Sequence, residues 1–115
     1  MKIYIGMPYE EARNLFAIED ITSEQDMKNG YFWLRGKYTL FGEKTSIELC
    51  FKDGLLWMMC VYPHYNDGIE REPFSVSDRD YRICDLWVRQ HKDELPESAK
   101  AFYDIRTPQV GVVIR

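Results

Sequence analysis

Residues 45–62 read TSIELCFKDGLLWMMCVY, two apolar runs that meet at Asp53-Gly54. Asp-Gly between strand-like runs favours a two-residue type I′ hairpin, because both central residues of that loop need positive φ. Pairing outward from the turn sets Phe51 opposite Leu56, Leu49 opposite Met58 and Ile47 opposite Cys60 on one face. The other face then receives Cys50 with Trp57 and Glu48 with Met59. The first face is core. The second mixes Trp57, Met59 and Val61 with Ser46, Glu48 and Lys52, a composition that suits neither open solvent nor a sealed interior.

Upstream, Tyr31 to Phe41 is a long strand candidate. Gly42-Glu43 follows as a two-residue loop with glycine at the first position of a type II′ turn. Registering Leu40 against Thr45 and Tyr38 against Ile47 puts Leu34, Tyr38 and Leu40 on the apolar face and Lys37 opposite Glu48 on the mixed one. Gly36 is a candidate bulge. Lys2 to Ile5 alternates like a short strand and stops at Gly6. From Pro8 a short helix brings Tyr9, Ala12, Leu15 and Phe16 onto one stripe, with Glu10 and Glu11 at its positive end. Those two acids project about 100° apart, which makes them a solvated face rather than an acid pair. Ile18 to Gly30 is polar and reads as a connector closed by Asn29-Gly30.

Downstream, Pro63 to Pro73 is a loop. Ser77 is an N-cap for a long helix running to His91, and its apolar arc of roughly 220° calls for cover on more than one side. Cys84 lies within that arc and is expected to be an inert buried thiol. Pro96 opens a short helix to Phe102 or Tyr103. Gln109 to Arg115 is a β-branched strand expected at the sheet edge, beside Lys2 to Ile5. The expected architecture is a single α+β domain over residues 1–115. An antiparallel meander of three or more strands packs against a long helix in the C-terminal half and a short N-terminal helix.

The pattern of Ile5-Gly6-Met7, then Tyr9-Glu10-Glu11-Ala12, then a connector and a meander carrying Phe51-Lys52-Asp53-Gly54 resembles the helix-then-sheet module of the β-lactamase-inhibitor protein and of small outer-membrane assembly lipoproteins. The resemblance covers about the first half of the chain, without the lipidation cysteine of the lipoproteins. It implies a sheet used to bind another protein.

Composition narrows the chemistry. The 115 residues hold 15 Lys and Arg against 19 Asp and Glu, a formal charge of −4 that argues against affinity for a phosphate backbone. No signal-peptide core and no run of about 20 apolar residues is present, so membrane attachment is not expected and a cytoplasmic location is. Three cysteines, with Cys50 and Cys60 placed on opposite sheet faces, are expected to stay reduced. There is no phosphate loop, Cys-x-x-Cys, His-x-x-x-His or Gly-x-Ser-x-Gly, and with only His64 and His91 a three-histidine zinc site cannot be built. Hence no catalytic residue, metal or cofactor is assigned. His64, Asp67 and Glu70 share one loop, but ligand sets draw on several elements.

The expectation is a protein-binding module, an immunity or inhibitor protein that blocks a basic toxin or enzyme, acting as a monomer or weak homodimer without nucleic acid. Its expected contact residues are Trp33, Arg35, Lys37, Glu48, Trp57 and Met59 on the mixed face, with His64 and Tyr65 from the adjoining loop, since buried aromatics and arginines carry most interface energy. The alternative is a small hydrolytic or ligand-binding enzyme using the 63–73 loop.

Overall fold

The computed structural model describes residues 2–17, 20–63, 78–106 and 109–115. Two helices, α1 (Tyr9–Ala17) and α2 (Asp78–Gln90), accompany six strands: β1 (Asp20–Lys28), β2 (Tyr31–Leu40), β3 (Glu43–Lys52), β4 (Leu55–Tyr62), β5 (Lys100–Asp104) and β6 (Gln109–Ile114). All pairings are antiparallel and the sheet order is β1-β2-β3-β4-β6-β5. This is an α+β fold in two layers. Both helices lie on one side, where Ala12, Phe16, Cys84 and Trp87 share a core with Leu34, Leu49, Val61 and Val112.

The meander is held by local turn chemistry. Asp53 and Gly54 have φ of 52° and 84°, the two positive values of a type I′ turn, and Asn29-Gly30 repeats the pattern at 57° and 85°. The β2–β3 turn differs from expectation. It is Phe41-Gly42, again positive at both positions (53° and 83°), and pairs Leu40 with Glu43. This shifts the β2–β3 register by two residues, which leaves every side chain on the expected face. Tyr38 pairs with Thr45, and Arg35, not Lys37, stands opposite Glu48. Gly36 sits in a regular β2–β3 ladder. The irregularity near it belongs to β1, between Ile21 and Ser23.

The β3–β4 register departs by one residue, with larger consequences. Phe51 pairs with Leu56 and Cys50 with Met58, so Trp57 is the extra residue of a bulge. Beyond it Leu49 faces Met59, Glu48 faces Cys60 and Ile47 faces Val61. A one-residue slip inverts a strand. Met59, only 1% exposed, and Val61 join the core, while Met58, Cys60 and Tyr62 move to the far face. Cys50 and Cys60 therefore share a face, as diagonal neighbours, and both remain free thiols. Diagonal neighbours in a sheet have Cα atoms roughly 7–8 Å apart, beyond disulfide reach.

Four other expectations change. The polar stretch before Asn29 forms β1, an edge strand whose charges suit a solvated edge and whose Glu24 is gripped by Tyr9 and Arg13 of α1. Residues 2–5 form no strand. A turn at Ile5-Gly6 intervenes, and the segment clamps the β3–β4 hairpin through Gly6 N–H to the Leu56 carbonyl and Leu56 N–H to the Met7 carbonyl, burying Ile3 and Met7. After Pro96 the chain enters β5 instead of a helix, pairing Phe102 with Gly111, so β6 is interior, between β4 and β5. Finally, α2 has 13 residues and buries Asp80, Cys84 and Trp87, while Leu86 is 54% exposed. The apolar arc is thus covered on one side. Ser77 and the 63–73 loop beyond Pro63 lie outside the described residues.

Candidate functional site

The sheet face opposite the helices carries Tyr31, Trp33, Arg35 and Lys37 of β2, with Glu48 and Cys50 of β3. It continues through Trp57, Met58, Cys60 and Tyr62 of β4 to Phe102, Gly111 and Val113. No described element packs across it. Alternation explains why each is there: on every strand these residues sit between core positions, and at Trp57-Met58 the bulge puts two consecutive side chains on the same side.

A ladder of polar side chains crosses this face over five strands. Gln109 Nε2 donates to the Tyr62 hydroxyl at 3.1 Å, and that hydroxyl donates to Glu48 Oε1 at 2.6 Å. Arg35 Nε donates to Glu48 Oε2 at 3.0 Å and its guanidinium reaches Gln25 Oε1 at 3.1 Å. The same guanidinium lies 5.2 Å from the Trp33 ring centroid, a cation–π contact. Both Glu48 oxygens are thus occupied by protein donors, and the half-buried pair is shielded enough for charge-assisted bonds to hold their geometry.

Trp57 stands at the end of the ladder's field. Its indole N–H points at Cys50 Sγ, 2.9 Å away, and its ring meets Tyr31 edge-on at 6.2 Å, yet it remains 39% exposed. Of the expected contact residues, Trp33, Arg35, Glu48 and Trp57 come together on this face and exposed Lys37 lies further along β2. Met59 does not belong, because the bulge turns it into the core. His64 and Tyr65 lie outside the described residues. Tyr62 and Gln109, which complete the ladder, escape a reading of local pattern because they are 47 residues apart; a tyrosine ending an apolar strand was the available signal.

Burial, aided by the negative charge of Glu48, pushes the Cys60 thiol up to about 12, and burial also raises Cys50 against the opposing pull of the Trp57 N–H. Neither is a thiolate at neutral pH. The Tyr62 phenol is raised by burial first, then by Cys60 and Glu48, so it stays a hydrogen-bond donor. Among the described residues no group of three His, Cys, Asp or Glu could hold a metal ion, and no helix is long and apolar enough to cross a membrane. His91 stacks on Phe41 with centroids 4.1 Å apart, on the helical side.

Fold and site define a two-layer α+β protein whose sheet face opposite the helices is rich in aromatic side chains. The chain matches no protein-family model, no curated protein and no solved structure.

Proposed function

We propose that this protein acts by binding another protein through the sheet face opposite the helices, as an immunity or inhibitor protein that blocks a basic toxin or enzyme in the cytoplasm. The observation that carries the reading is the presence, on one sheet face, of exposed Trp57 and of half-buried Trp33 against an Arg35–Glu48 pair already fixed in geometry. Pre-ordered aromatic and arginine side chains lose little entropy on association, and such residues dominate interface energies. The formal charge of −4 favours a basic partner. The three free, buried thiols suit a reducing compartment. The order of a helix followed by a meander is also that of the inhibitor proteins the first half resembles, an analogy of fold.

The test uses the purified chain and its Trp57→Ala variant as paired baits in lysate of the native host. A basic protein retained in equimolar amount by the first and lost by the second, with unchanged circular dichroism, is the expected result. Equal capture by both, or none by either, removes this face from the mechanism. With the partner purified, the loss is expected to be about 2 kcal/mol or more in affinity.

A further inference from the structure

On the same sheet face, strands β4, β6 and β5, with Trp33 and Glu48 of β2 and β3 beside them, line a hollow of about 720 Å³. Its floor is apolar: Met58, Cys60, Phe102 and Val113, with the Tyr62 ring beside them. Gly111 lies between Tyr62 and Phe102, and a Cβ there would stand 2.8 Å from one ring and 3.0 Å from the other, so the two rings close over a position with no side chain. The volume falls within the range of about 300–1,000 Å³ common to small-molecule sites, which combine apolar walls with a few polar groups.

Charge around the hollow is uneven. Glu48 is taken up by Arg35 and Tyr62, and Asp104 by Arg106, whose backbone N–H donates to it at 2.9 Å. Lys100 and Arg115 also line the wall, and among the described residues neither forms an ion pair. Beyond them the hollow runs into a recess of about 410 Å³ where Glu97 is the acid on the wall. In a chain of net negative charge, two uncommitted cations at the mouth of an apolar basin form a local positive field that selects the sign of a ligand.

We infer that this hollow binds a small amphipathic organic anion, a carboxylate or sulfonate on an aliphatic or aromatic body. The apolar body lies over Met58, Phe102 and Val113, and the anionic head meets Lys100 and Arg115. The site stands whether or not the face also receives a protein partner, since it needs only the purified chain.

The probe is 1-anilinonaphthalene-8-sulfonate, followed by its fluorescence and by calorimetry, with decanoate and decyltrimethylammonium as competitors of equal chain length and opposite head charge. The expected result is one saturable site per chain, displaced by decanoate at least about ten times more effectively than by the ammonium. Lys100→Glu and Arg115→Glu, both at exposed positions, are expected to weaken binding at least about five-fold each without changing the melting temperature. Lys92→Glu, the same charge change beyond the end of α2, is expected to leave it within about two-fold. Absence of saturable binding, equal displacement by both competitors, or equal weakening by Lys92→Glu and Lys100→Glu would each overturn the assignment. These outcomes are independent of whether a protein partner is captured through Trp57.

Discussion

Replacing Gly111 with alanine tests the packing of Tyr62 and Phe102 on the sheet face opposite the helices. The new methyl carbon would lie 2.8 and 2.9 Å from two carbons of the Tyr62 ring and 3.0 Å from Phe102 Cε1, where carbon–carbon contacts are comfortable at roughly 3.5–4.0 Å. Tyr62 cannot swing aside freely, because its hydroxyl is held by Glu48 at 2.6 Å and by Gln109 at 3.1 Å. Surrendering either bond costs about 1 kcal/mol. Overpacking of this kind costs about 1–3 kcal/mol, and alanine recovers about 0.5–1 kcal/mol of backbone entropy relative to glycine, leaving a net loss centred on about 1 kcal/mol. With a urea slope near the middle of the usual range, about 2 kcal/mol per molar, the midpoint is expected to fall by about 0.5 M at constant slope. The strain should also be relieved by making room: Gly111→Ala in a Phe102→Ala background is expected to cost measurably less than alone. A midpoint that stays put or rises, or costs that simply add, would show that the rings do not close over Gly111.

Gly54→Val isolates backbone strain, since φ is 84° and an added Cβ meets nothing within 4 Å; a loss of about 1–3 kcal/mol in chemical denaturation is expected, and an unchanged midpoint would contradict the type I′ turn. The Glu24 carboxyl is held below its usual value by hydrogen bonds from Arg13 and then Tyr9, so its contribution is present above the ordinary carboxylate pKa and fades as pH falls through the lowered one. Glu24→Gln should therefore flatten the acid limb of the stability curve below about pH 4.5, by a small amount because the pair is exposed; identical acid limbs would refute the coupling. Burial raises the Cys60 thiol from 9.0 to about 12, which makes stability fall as pH rises through that interval and keeps the thiol from alkylating agents at pH 8. Mass spectrometry should find Cys60 labelled only after denaturant is added, and rapid labelling of the native protein would place it at the surface.

The parts of this fold that could be read from the residues are those where the pattern is local and two-sided. Asp53-Gly54 declares its turn, Leu34, Tyr38 and Leu40 alternate with polar residues, and Tyr9, Ala12, Leu15 and Phe16 recur at helical spacing. Strand β4 reads LLWMMCVY, apolar at every position, so nothing in it distinguishes Met58 from Met59, and the single extra residue at Trp57 is invisible until a partner strand imposes register. Phe41 with positive φ has no turn-residue signature, which is why Gly42 looked like the first position of its loop rather than the second. Strand β1 hides for the opposite reason: an edge strand tied to α1 through Glu24 carries little apolar signal to alternate. That Trp33, Arg35, Glu48 and Trp57 share a face could be read from alternation within their strands, whereas the hollow on that face also draws on β4, β5 and β6 and depends on long-range pairing.

The interior place of β6 governs how the chain can be made and broken. Strands β1 to β4 are joined by three tight turns and can assemble from neighbouring residues, but Met59 must wait for Ile114 before its side of β4 is occupied. Until residues 109–114 arrive, whether during synthesis or after proteolytic loss of the last segment, the growing sheet ends in an uninterrupted apolar strand with a row of unsatisfied amides. A chain stopped at Arg106 would therefore be a strand-pairing template for other copies of itself, and its fate would be set by how quickly a chaperone or a protease reaches that open side.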